Sequence, residues 1–191
     1  MNTFKRICAA VFAAALVLCG VGCAKDGADS DPFYTKPAGL DFWICEDAHG
    51  ADFSGFNEIP GLVGGHEYIN ARYRLPPADA DGFQDYPEKY VSYVVSAYPD
   101  LADGGEFITR IVITDPSVKM FGVSVDSTMD EFVSAMTEAG FDVRENSGTA
   151  AVDMRFAYSP DGKYYVSYLI NGDEHRIAVC AVVTNRDNIV Y

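Results

Sequence analysis

The sequence predicts an α+β fold: an antiparallel sheet with one main helix packed on a face, followed by a three-strand meander. Three observations carry this expectation. Beyond residue 22, Val and Ile number 25 against five Leu, and 12 Tyr and ten Phe join them. β-Branched and aromatic side chains suit a pleated sheet. Only one segment carries a complete helix signature, and three alternating runs with short turns come after it.

The elements follow in chain order. Asp41–Cys45 reads as a short strand. Residues 46–89 read as irregular, because Pro60-Gly61, Gly64-Gly65, Pro76-Pro77 and Asp81-Gly82 are turn signals; a short strand at Tyr68–Tyr73 is the one exception considered. Tyr90–Tyr98 alternates, with Val91, Tyr93, Val95 and Ala97 on one face and Ser92 and Ser96 on the other. A turn over Pro99–Glu106 leads to Phe107–Thr114, which completes a hairpin. In the helix, Thr128 and Glu131 form a capping box, and Met129, Phe132, Val133 and Met136 make one apolar stripe. Gly140 and Phe141 suit its C-terminal cap. Three strands then follow, at Ala151–Tyr158, Tyr164–Ile170 and His175–Thr184. Asn171-Gly172 turns the last pair. The final strand is apolar on both faces, as a central strand should be.

The chain has 191 residues and a formal charge of −14. That length suits one domain, and no internal repeat divides it. The acidic balance, with no basic cluster, argues against a nucleic-acid partner.

The N-terminus predicts export. Lys5 and Arg6 precede an apolar run from Ile7 to Leu18, closed by small residues through Gly22. The run is too short for a membrane span and has the pattern of a signal peptide over 1–22. Val21-Gly22-Cys23 resembles the lipobox of bacterial lipoproteins, with Gly20 where that family usually has Leu. The resemblance implies cleavage before Cys23 and lipid attachment to it. The chain is then held at the cell membrane, on its extracytoplasmic face, by a polar tether over 23–38, with a single domain over 39–191. Loss of residues 1–22 removes two positive charges, so the exported part carries −16.

Two stretches resemble a group of uncharacterised extracytoplasmic proteins of Gram-positive, clostridia-like bacteria. One is Phe42-Trp43-Ile44-Cys45-Glu46-Asp47 with Gly64-Gly65-His66-Glu67-Tyr68. The other runs from Ser96-Ala97-Tyr98-Pro99-Asp100 through Ile108–Ile111 and Thr114-Asp115-Pro116 to Gly122 and the helix, and the terminal Val183-Thr184-Asn185-Arg186 with Ile189-Val190-Tyr191 also fits. The resemblance implies no catalytic residues. The helix-and-meander half is similar, at fold level alone, to the sheet-and-helix modules of β-lactamase-inhibitor-like lipoproteins, which carries no function.

Several residue groups have types suited to chemistry. Cys45, His49 and His66 are the candidates for a Cys/His-type or metal-assisted hydrolase in the 45–67 region. Their spacing matches no standard zinc site, and Gly-x-Ser-x-Gly and Ser-x-x-Lys are absent. Polar loop residues beside a strand cysteine explain the same pattern. Cys45 and Cys180 can form a disulfide outside the cell or remain two buried thiols, and both outcomes are open. Asp100, Asp103 and Glu106, and Asp79, Asp81 and Asp85, read as solvated turns, lacking the calcium-loop pattern. No metal or other cofactor is implied. Tyr86, Tyr90, Tyr93, Tyr98, Tyr158, Tyr164, Tyr165 and Tyr168 belong to or border strands. They suit a Tyr-rich core or an interface equally. The expected function is a non-catalytic binding or interaction module with a protein or cell-envelope partner.

Overall fold

The computed structural model describes residues 33, 35–60, 65–80, 84–97, 105–145 and 152–182. The signal peptide, Cys23, Tyr98, Asp81, Asp100 and Asp103 lie outside the described residues. The chain divides into two units, Met1–Pro32 and Phe33–Tyr191, and all that follows concerns the second. Its strands are β1 (Phe56–Ile59), β2 (Gly65–Asn70), β3 (Val91–Ala97), β4 (Glu106–Ile113), β5 (Asp142–Glu145), β6 (Asp153–Tyr158), β7 (Tyr164–Asn171) and β8 (Glu174–Ala181); the helix α1 is Met129–Glu138. All strand pairs are antiparallel, in the order β1-β2-β3-β4-β8-β7-β6-β5.

This corrects the predicted fold class. Among the described residues, one eight-stranded sheet with a single ten-residue helix is a mostly-β architecture, not a balanced α+β one. The sequence reading undercounted strands for identifiable reasons. β1 and β2 sit inside the turn-rich 46–89 segment and span only four and six residues. β5 is a charged four-residue edge strand, Asp-Val-Arg-Glu, directly after the helix. Asp41–Cys45 is not a strand: its backbone turns, and Cys45 takes φ 63°, in the left-handed region rarely used by side-chain-bearing residues. Cys45 and Glu46 instead pair with Ile108 at the side of β4.

The helix forms where its signals lie. The Thr128 side chain accepts from the Glu131 N–H, and the Glu131 carboxylate accepts from the Thr128 N–H at 2.7 Å. At the other end Gly140 N–H donates to Thr137 O and Phe141 N–H to Met136 O, with Gly140 at φ 92°. That pattern is a Schellman cap, and the positive φ is why glycine stands there. Phe132 and Met136 turn into the core.

The pleat sorts each strand onto two faces. One face is closed. Over β5–β7 it is closed by α1, and elsewhere by Trp43, Ile44, Val118, Met120 and Val123 from the flanking segments. Phe42, Phe53 and Phe56 cluster over Tyr93, with ring centroids 4.7–5.9 Å apart. Phe33 is docked here too: its carbonyl accepts from Tyr164 Oη at 2.7 Å and Trp43 Nε1 at 3.2 Å. The packed unit therefore begins six residues before the expected Gly39. β8 sits between β4 and β7, in mid-sheet, and joins the two halves.

Candidate functional site

The other face is covered over β2 and β3, where Tyr86 lies against Glu67. Over β8, β7 and β6 it is half-open. The register sets out a single row across it: Arg110 opposite Cys180, Cys180 opposite Tyr165, Tyr165 opposite Tyr158. The next row is Val112, Ala178, Ser167 and Phe156. Arg176 and Leu169 pair in the row beyond.

Alternation with the core-facing Ile111 puts Arg110 there. Val94 pairs with Arg110 and Val95 with Ile108, so Thr109 has no partner on β3. The extra residue lets Ile108 join Ile111 and Ile113 in the core instead of sharing the face of Arg110. Thr109 Oγ1 ties the bulge by donating to Val94 O at 3.2 Å.

Glu67 anchors the covered side of this face. It is 5% exposed and accepts from Ser92 Oγ at 2.7 Å and Tyr86 Oη at 2.9 Å. The nearest Arg110 nitrogen is 4.0 Å from it, the limit of an ion pair. Arg110 Nε is buried without a hydrogen-bond partner. Burying a donor unpaired is costly, so its guanidinium is under-satisfied as it stands. Arg176 has neither an ion pair nor a hydrogen bond among the described residues. The arginines at the β5 edge differ: Arg144 pairs with Asp142, and Arg155 with Glu145 and Asp153.

The Cys180 thiol faces Arg110 across the strand pair and feels the charge of Arg176 from along β8. Burial pushes its pKa up, while the Tyr165 hydroxyl, which donates to its sulfur, and the charges of Arg110 and Arg176 pull the other way; the net shift is upward. Burial likewise raises the Tyr165 and Tyr86 phenols, so both remain neutral donors at ordinary pH. Phe156 and Tyr158 each lie 5.6 Å from the Tyr165 ring, and Arg144 stacks over Tyr158 at 4.7 Å. Inclined aromatic rings, hydroxyl donors and arginines, Arg176 among them without an ion pair among the described residues, therefore meet on one face of a strongly acidic chain.

The residues singled out from sequence do not assemble. Cys45 borders β4 at Ile108, on the side away from β3, whereas His66 pairs with Val95 on β2. Three strand spacings, about 14 Å, separate their backbones. His66 Nδ1 is 2.7 Å from Glu58 Oε1, and this hydrogen bond is the main cause of its raised pKa. His49 is exposed on a turn, its N–H bonded to Asp47. Cys45 has a pKa raised chiefly by burial, with Lys163 and Asp161 as its charged neighbours and no histidine. Cys45 and Cys180 are both free thiols. They border the same edge of β4, but Cys45 packs against the core and Cys180 faces the open side. Among the described residues no three His, Cys, Asp or Glu side chains are grouped to hold a metal ion. No helix among them is long and apolar enough to cross a membrane. A groove of about 530 Å³ runs between α1 and β5, past Met129, Val133 and Val143.

Sequence reading identified Tyr158 and Tyr165 as interface candidates but assigned no role to Arg110 or Arg176. The signal was present in part: a charged residue in an otherwise apolar run marks the outward face. Comparison with protein-family models, curated proteins and solved structures returns no match for this chain.

Proposed function

We propose that the chain is a lipid-anchored extracytoplasmic binding module without catalytic chemistry, and that the half-open sheet face is its binding surface. The observation that carries the binding reading is the row Arg110–Cys180–Tyr165–Tyr158, in which an arginine with an unpartnered Nε and aromatic side chains lie side by side. Tyr and Arg are the side chains that most often supply binding energy at interfaces. The anchor reading rests on Val21-Gly22-Cys23 after the apolar run. In the binding reading, Cys45, His49 and His66 have structural or solvent-facing roles.

Two experiments test this. Globomycin treatment is expected to accumulate the uncleaved precursor, and Cys23→Ala to abolish labelling by fatty acid; release of an unlabelled chain into the medium would instead mean ordinary secretion. For the surface, a photo-crosslinking residue at Ser167, on the open face, is expected to capture an envelope component in cells. The same residue at exposed Asp130 on the helix is expected to capture far less, and equal yields from both sites would remove the assignment.

A further inference from the structure

Resting on that reading, we infer that the ligand of the open face is an acidic polysaccharide, whose carboxylates meet Arg110 and Arg176 and whose sugar rings stack on Tyr165, Tyr158 and Phe156. The argument starts from charge. The chain carries 28 acidic groups against 14 basic ones. In such a chain a half-buried arginine usually finds a carboxylate, as Arg155 does. Arg176 has none among the described residues, and Arg110 reaches only Glu67, at 4.0 Å, with its Nε left unpartnered, so the face keeps positive charge on a negative molecule and favours an anion.

Shape then narrows the anion. The face is the middle of a sheet, not its edge. The backbone donors and acceptors of β8, β7 and β6 are engaged in ladders on both sides. An extended peptide, which gains affinity by adding a strand to an edge, has nothing to pair with here. A lone small molecule suits a pocket that encloses most of its surface, and a flat face contacts only one side of it. A polymer of repeated anionic rings overcomes that weakness. Each ring contributes a modest contact, and linkage makes successive contacts intramolecular. The platform has the matching extent: three strand spacings, about 14 Å, separate Arg110 from Tyr158. Pyranose C–H faces pack on aromatic rings, and the phenol and serine hydroxyls of Tyr165, Tyr158 and Ser167 can bond to sugar hydroxyls.

The test uses the full chain purified in detergent, with binding followed by affinity electrophoresis. The probes are polygalacturonate, hyaluronan and alginate as carboxylate polysaccharides, dextran as a neutral one and polyglutamate as an acidic peptide. The expected result is retardation by at least one carboxylate polysaccharide, none by dextran, and at least tenfold weaker retardation by polyglutamate. Arg110→Gln and Tyr165→Ala should each weaken the polysaccharide interaction tenfold or more, with melting cooperative as in the parent. Arg176→Gln and Tyr158→Ala, at positions that need less repacking, replace them if either fails to fold. Binding to none of the three carboxylate polysaccharides, equal retardation by polyglutamate, or binding unchanged in the folded variants would overturn the inference. The Ser167 crosslink separates this failure from failure of the binding reading. A protease-sensitive adduct with no sugar overturns the polysaccharide alone, and no adduct overturns both.

Discussion

Tyr164 and Tyr165 are neighbours in β7, yet they belong to different chemical environments. Tyr164 is fully buried under Trp43 and Phe141, its hydroxyl donating to Phe33 O. Tyr165 is half-exposed beside Phe156 and Tyr158, its hydroxyl donating to a thiol. The same division runs through the sheet. On the closed face Tyr93, Tyr164 and Tyr168 are 0% exposed, and each hydroxyl has a hydrogen-bond partner. On the open face Tyr158 and Tyr165 are half-exposed, with Arg144 over the Tyr158 ring. Identical residues thus serve cohesion on one side and, on the proposed reading, recognition on the other, and only the pleat separates them. A one-residue register slip would exchange the sets.

The comparison breaks most visibly in stability. Phe132→Ala and Tyr168→Ala on the closed face are each expected to lower unfolding free energy by about 3–5 kcal/mol, by loss of buried surface and the cavity left. Tyr165→Ala on the open face should cost about 1 kcal/mol, as a half-exposed site usually does. Chemical denaturation measures both, and equal losses would abolish the distinction. Next in size are single hydroxyls. Tyr168 Oη donates to Val125 O at 2.9 Å and contacts Ser127 O, while His175 Nδ1 also lies 2.8 Å from Val125 O, so Tyr168→Phe strips a partner from Ser127 O but not the last one from Val125 O and should cost about 1 kcal/mol. Thr128→Ala, which removes the capping box without touching either face, should cost about 1 kcal/mol by thermal melting.

The smallest effect concerns the thiols, one on each side. Burial raises both pKa values above the ordinary 9.0, so at pH 7–8 Cys45 and Cys180 should react with iodoacetamide more slowly than an exposed cysteine. The folded state then holds these protons more tightly than the unfolded chain. That contribution to stability is complete below pH 9.0 and is lost as pH rises from there through the folded values. Alkylation without reductant should modify both sites by mass spectrometry. Tyr165→Ala should speed modification of Cys180 and leave Cys45 unchanged.

Much of this was legible in the chain. The capping box and Gly140 mark both ends of α1, because those signals are local hydrogen-bond chemistry. The sequence placed strands within a few residues of β3, β4, β6, β7 and β8, because alternation survives wherever one face is buried. The turn after Asn171 is a two-residue Gly172-Asp173 loop with Gly172 at φ 60°, close to where the dipeptide signal puts it. β1 and β5 escaped notice, and β2 was glimpsed only as a possible strand at Tyr68–Tyr73, a few residues late: a short strand in a turn-rich or charged segment has little periodicity to read, and pairing with neighbours holds it. For the same reason Cys45, His49 and His66 looked clustered when they are not. Nearness in sequence says little once β3 and β4 come between.

By itself the sequence determined the composition of a sheet, the ends of one helix and the acidic balance. Each depends on residues close along the chain. The tertiary structure alone decided that the eight described strands make one sheet, that the Thr109 bulge brings Ile108 into the core, and that Arg110, Cys180, Tyr165 and Tyr158 form one row. These residues come from four strands up to 70 positions apart. Strand order and register, which bring them together, are set by packing across the whole sheet and by no local signal.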